Sequence, residues 1–171
     1  SRMIRKLLEH TVNHPQVIGF QIDNETKHYD NYGKEIQEGF VNFLKSRYSD
    51  IEEFNRDYGL AYWSNSIHSW EDFTDISGTI NASLACEFEE FQREMAVNFL
   101  KMQAEIVNEY KNPNQFITHN FDFEWHKFGA DIAQDGYSYG VQDGINHFNA
   151  AKVLTHAGTD IYHPTGFKLT G

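Results

Sequence analysis

Apolar and polar positions recur along this chain with two different periods, and the switches between them mark its elements. Met3, Ile4, Leu7, Leu8 and Val12 share one face at three- and four-residue steps, so a helix opens the chain. Asn13-His14-Pro15 ends it, because proline has no amide hydrogen and restrains the residue before it. Val17-Ile18-Gly19-Phe20-Gln21-Ile22-Asp23 is then a nearly continuous apolar run, read as a buried strand over 17–23. Helix resumes near Gly33, with Ile36, Phe40, Phe43 and Leu44 as its inward stripe. A short helix follows from Asp50 to about Tyr58, capped by Asp50 with Glu53 reciprocating and stopped at Gly59.

Between Leu60 and Gly78 the periodicity is lost, and Trp63 and Trp70 are expected to fix this excursion to the body. The longest helix is predicted from about Asn81 to Tyr110, where Leu84, Phe88, Phe91, Met95, Phe99, Met102 and Ile106 form the stripe and Pro113 follows the end. Gln115 to Phe121 reads as a short strand. Helical turns are predicted near Trp125–Ala133 and Gly144–Ala150, and a third strand near Lys152–Ile161.

Strands thus alternate with helices, the pattern of an α/β fold with parallel strands and helical crossovers. A doubly wound nucleotide-binding sheet is disfavoured, because Gly19 lies inside its strand and no G-x-G-x-x-G follows. A partial (β/α)8 TIM barrel fits better. A complete barrel takes about 250 residues, so 171 residues with three identifiable strands are read as part of a single catalytic barrel domain spanning 1–171.

Composition narrows the partners. A net charge of −11 argues against nucleic acid or an anionic membrane, both of which need clustered Lys and Arg, and favours a neutral small molecule. The one cysteine, Cys86, rules out an internal disulfide or a thiolate metal cluster within the chain. No apolar run approaches the roughly 18 residues of a membrane helix, and no secretion signal is evident, so a cytoplasmic location is expected. Neither an H-E-x-x-H motif nor a third ligand for His119 and His126 is evident, so no metal and no cofactor are expected.

The chemistry lies where the first strand ends, at Asn24-Glu25. Parallel α/β enzymes hold their reacting groups at the carboxyl ends of strands. A glutamic acid there can donate a proton and then recover one if burial and a second carboxylate raise its pKa. Glycoside hydrolysis requires such a pair, about 5–5.5 Å apart when configuration is retained. Asn24, facing another side, is suited to the hydroxyl beside the reacting carbon.

The run His14-Pro15-Gln16-Val17-Ile18-Gly19-Phe20-Gln21-Ile22-Asp23-Asn24-Glu25 resembles the fourth-strand signature of glycoside hydrolase family 42 β-galactosidases, retaining barrel glycosidases. Phe54-Asn55 through Tyr58-Gly59, Tyr62-Trp63-Ser64 and Trp70 continue the likeness. Thr118-His119-Asn120-Phe121 resembles the family's fifth strand, and Asp160-Ile161-Tyr162-His163-Pro164 the segment after its sixth.

The resemblance implies that Glu25 is the catalytic acid/base, that Asn24 binds the galactose 2-hydroxyl, and that Tyr162 lies beside the nucleophile in the sugar pocket. The nucleophile itself, a glutamate after the seventh strand, is expected outside this chain, so 1–171 alone is expected to be inactive. The resemblance also implies release of terminal β-D-galactose from β-galactosides and a homo-oligomeric parent, a trimer. Two alternatives stay open: a non-catalytic carbohydrate-binding or structural piece, and a retaining glycosidase of different sugar preference. Many relatives bind zinc through a cysteine cluster partly in the loop after Asn-Glu; here that loop is Thr26 to Tyr32 without cysteine, and zinc is not expected. Phe20 stands where relatives often have tryptophan, an exchange of large aromatics that a core tolerates.

Overall fold

The computed structural model describes residues 1–127 and 137–160, with residues 123–127 and 137–141 described by their backbone only. Its elements follow the order α1 Arg2–Thr11, β1 Gly19–Gln21, α2 Lys34–Arg47, α3 Ile51–Asp57, α4 Ala82–Tyr110, β2 Phe116–Phe121, β3 Phe123–Lys127, β4 Tyr137–Val141, α5 His147–Ala151 and β5 His156–Thr159. Single 3-10 turns at Tyr62–Ser64 and Trp70–Asp72 punctuate the stretch that lacks periodicity. Two compact units are formed, one by residues 1–27 with 96–171 and the other by 28–95.

The first unit carries a parallel sheet in the order β1-β2-β5. Gly19 pairs with Phe116 and Gln21 with Thr118, while Thr118 pairs with His156 and Phe121 with Thr159. Bonds from Phe116 N to Ile18 O and from Ile22 N to Thr118 O extend the first ladder by a residue at each end. Gly19 is required by that pairing, because a Cβ there would lie 2.5 Å from the Phe116 ring. Along β2 buried and half-buried positions alternate, as the two-residue repeat of a strand demands. Ile117 and Phe121 face the apolar side, packing with Leu8, Ile22, Leu100, Ala104, Ile145 and Ala150; Thr118 and Asn120 face the other. Phe20 packs at the margin of this cluster.

Gln115 ties the sheet's entry to α1. Its amide donates to Val12 O and Val17 O at 3.1 and 2.8 Å, and its carbonyl accepts from Asn112 N at 2.9 Å, so a buried polar side chain is fully used.

The second unit is an aromatic core. Phe40, at van der Waals distance from Phe43, Phe73, Phe88 and Phe91, stands at its centre, with ring centroids 5.1 to 6.2 Å apart. Asn55 is buried within it and behaves as a piece of strand: its amide donates to Ile67 O at 2.7 Å and its carbonyl accepts from Ile67 N at 2.9 Å. Trp70 packs on Phe54, so that tryptophan does fix the excursion. Trp63 does not: it stacks on Tyr62 with both rings mostly exposed, and both Trp63 and Ser64 take left-handed backbone angles.

Most predicted boundaries agree with the observed ones, and the differences have physical causes. Asp50 caps α3 by accepting from Glu52 N at 3.0 Å, one residue earlier than a capping box requires. The helical turn expected near Trp125–Ala133 begins instead as a strand. β3 pairs antiparallel with β4, from Phe123 with Val141 to Lys127 with Tyr137. The alternations Phe-Glu-Trp-His-Lys and Tyr-Ser-Tyr-Gly-Val have period two, and that repeat prevails over helix propensity. Residues 128–133 of that expectation lie outside the described residues. The first strand is also less buried than its apolar run predicts: Ile22 is covered, but Ile18 is exposed, because β1 has a partner on one side only in the described sheet.

Candidate active site

At the carboxyl ends of β1, β2 and β5 lie Asn24-Glu25, Asn120 and Asp160, and hydrogen bonds join the polar groups across all three strands. Asn120 Nδ2 donates to Asn24 Oδ1 at 3.1 Å and to Asp160 Oδ2 at 2.5 Å. Gln21 Nε2 donates to the same Asn24 Oδ1 at 3.1 Å and to Asp23 O at 3.1 Å. With two donors on its carbonyl oxygen, the Asn24 side chain is fixed in one flip, and its amide N–H groups are the face left for a ligand oxygen.

The backbone between β1 and the following loop is unusual. Asp23 and Glu25 both take left-handed angles, φ 50° and 52°, a conformation that costs non-glycine residues of the order of 1 kcal/mol or more and persists only where the surroundings hold it. Those surroundings come from β2 and from the turn's own side chains. Glu25 N donates to Asn120 O at 2.9 Å, and Thr26 Oγ1 closes on Asp23 Oδ2 at 2.6 Å. The imidazole of His119 reaches the same turn from the apolar side, with Nδ1 2.7 Å from Ile22 O and Nε2 3.2 Å from Thr26 N. Glu25 is half-buried and Asn24 exposed. Lys27 and Asp122 form an ion pair at 2.5 Å, both about one-fifth exposed.

His119 is wholly buried. Burial pushes its pKa below the usual histidine value, the Ile22 carbonyl and Asp23 pull the other way, and His147 disfavours a second positive charge. A neutral ring results, packed edge-on against Phe121 at 4.8 Å.

The sequence located Asn24 and Glu25, and the structure puts both at the carboxyl edge of the sheet. Tyr162 lies outside the described residues. Sequence reasoning misses Gln21, Asn120 and Asp160; a polar residue near the carboxyl end of the strand Phe116–Phe121 is the one signal for Asn120. The partners of Asn120 are 40 and 96 residues away, which no local pattern reveals.

A family model described as β-galactosidase, glycoside hydrolase family 42, matches residues 1–161. The chain belongs to glycoside hydrolase family 42. Within that family it is 33% identical over 122 residues to β-galactosidase BgaA of Clostridium cellulovorans, covering 69% of this chain and 18% of the relative. It is 32% identical over 126 residues to a β-galactosidase of Thermus thermophilus, covering 70% of this chain and 19% of the relative. Among solved structures, a catalytic mutant of Gan42B, a GH42 β-galactosidase from G. stearothermophilus, superposes with a TM-score of 0.78 at 22% identity over 98% of this chain and 23% of that one. The β-galactosidase of Halorubrum lacusprofundi gives 0.76 at 23% identity over 94% and 22%. These likenesses identify the fold as part of a (β/α)8 barrel, and the chain spans about a fifth of the length of the relatives it matches.

The thiolate zinc site of many family 42 relatives does not fit this chain, whose one cysteine is exposed on α4. In the second unit His28, Asp30 and Glu89 bring ligand-type atoms within 4.8 Å of one another. His28 Nε2 lies 3.3 Å from Glu89 and Nδ1 3.8 Å from Asp30, so the imidazole sits between two carboxylates.

Proposed function

We propose that the protein carrying this chain is a retaining β-galactosidase that releases terminal β-D-galactose, with Glu25 as acid/base and Asn24 as the ligand of the 2-hydroxyl. The observation that carries this reading is the fixed Asn24-Glu25 pair at the carboxyl edge of a family 42 sheet. In the first step a carboxylate from another part of the barrel bonds to the anomeric carbon while the glycosidic C–O bond breaks and Glu25 gives its proton to the leaving oxygen. In the second, water attacks the same carbon, Glu25 takes its proton, and the glycosyl–enzyme bond breaks with the electron pair returning to the nucleophile. Asn24 contributes by an N–H···O bond that tightens as charge develops on the sugar ring.

Both units are read as belonging to one catalytic barrel domain. A trimeric parent follows from the family resemblance alone, and a cytoplasmic location from the sequence alone. A retaining glycosidase of different sugar preference is separated from this reading by comparing galactoside, fucoside and arabinoside rates.

The deciding experiment replaces Glu25 by Gln in the full-length polypeptide. Loss of general acid catalysis is expected to slow an alkyl β-galactoside by about 10²–10⁴-fold. An activated dinitrophenyl galactoside, which leaves without protonation, should instead accumulate glycosyl–enzyme, and azide should restore its turnover. Native rates on the alkyl galactoside would refute the assignment.

A further inference from the structure

We propose that His119 is a positioning residue for Glu25, splinting the turn from Ile22 to Thr26 by bonding one backbone group at each end of it. This rests on the acid/base reading of Glu25. The Ile22 carbonyl can only accept, so the imidazole nitrogen 2.7 Å away, Nδ1, carries the hydrogen. The Thr26 amide can only donate, so Nε2, 3.2 Å away, presents its lone pair. One protonation state satisfies both, the neutral ring with hydrogen on Nδ1.

The turn needs such a support. Between its two ends lie Asp23 and Glu25 with their left-handed angles, and four bonds from the stretch Thr118–Asn120 hold it. Two are backbone bonds, from Ile22 N to Thr118 O and from Glu25 N to Asn120 O. The other two belong to the His119 side chain. Removing them leaves the strained turn held on one side, and the Glu25 carboxyl free to move relative to Asn24, which Gln21 and Asn120 still hold. The side chains of β2 thus reach the pair from opposite faces of the strand, that of Asn120 holding the Asn24 amide and that of His119 the carboxyl-bearing turn, which the Asn120 carbonyl also holds.

The test uses the full-length polypeptide and two variants. His119→Phe keeps a flat ring in the cavity and deletes both bonds; His119→Gln offers one donor and one acceptor. A displacement of the acid of the order of 1 Å costs about 10²-fold, so His119→Phe should lose about that much in kcat/KM on phenyl β-galactoside. On dinitrophenyl galactoside, which needs no proton for departure, kcat/KM should stay near native. His119→Gln should recover most of the loss. Equal losses on the two substrates, or no advantage of Gln over Phe, would show a merely structural role and overturn the proposal. Should His119→Phe fail to fold, the nitrogen-15 shifts of the native imidazole decide: hydrogen on Nδ1 alone supports the splint, and hydrogen on Nε2 overturns it. Glu25→Ala is measured alongside. If it keeps native rates on phenyl galactoside, the acid/base reading has failed; if it alone shows leaving-group dependence, the splint has failed and that reading stands.

Discussion

Asn120→Asp changes one atom in the link between three strands and sets two carboxylates against each other. The nitrogen it replaces lies 2.5 Å from Asp160 Oδ2 and 3.1 Å from Asn24 Oδ1, so a donor becomes an acceptor facing two acceptors. Two unit charges about 4 Å apart repel by about 4 kcal/mol at an effective dielectric constant near 20, enough for the pair to hold a shared proton at a pH where isolated carboxylates are ionised. Asn24 then loses one of the donors that fix its flip. If its N–H···O bond to the sugar is worth about 2.7–4 kcal/mol in the transition state, as one oriented donor of this kind is, kcat/KM should fall by about 10²–10³-fold. The assay is kcat/KM on phenyl β-galactoside from pH 8 to pH 5 in the full-length polypeptide. Unfolding free energy of the variant relative to native should recover as pH falls, because the shared proton relieves the repulsion, whereas the kcat/KM ratio should stay low, because that one proton lies between the two carboxylates and leaves Asn24 without this donor. The double variant Asn120→Asp/Asp160→Asn removes the repulsion but gives Asn24 no donor from position 120, leaving it Gln21 alone, so stability should return and activity should not. Activity that recovers with stability would refute the orienting role, as would native activity in the single variant.

Asn55→Leu strands the Ile67 N–H and C=O inside the aromatic core, and two such buried groups at about 1–3 kcal/mol each should lower unfolding free energy by about 2–6 kcal/mol in urea titration. A loss under about 1 kcal/mol would contradict the pairing. For His119 the direction of the pKa shift sets the pH dependence. Its folded value is depressed below that of the unfolded chain, so its contribution is present in full above about pH 6.5 and is lost as pH falls through the folded pKa. Urea midpoints should therefore drop more steeply below that pH in native protein than in His119→Gln, and parallel profiles would show that the ring is not held neutral.

How far the sequence foretold this depends on the range of the forces involved. Helix α4 was legible because its stripe repeats over 29 residues, and the Asn-Glu pair because an apolar run ended on it. The β3–β4 ribbon was not, since strands of five residues offer too few repeats to outweigh glycine and helix formers nearby. The site beyond Asn24 and Glu25 was not legible for a different reason. His119 bonds across 93 and 97 positions and Asn120 across 96 and 40, and only the parallel register of β1, β2 and β5 brings those positions together.

The two sides of β2 have one further consequence. A single inserted or deleted residue before Thr118 could leave the ladder hydrogen-bonded, yet it would turn the amide into the oily layer and the imidazole toward solvent. Frame in this strand therefore matters more than composition: conservative swaps within Thr118–Asn120 are expected to cost less than any one-residue indel upstream of it.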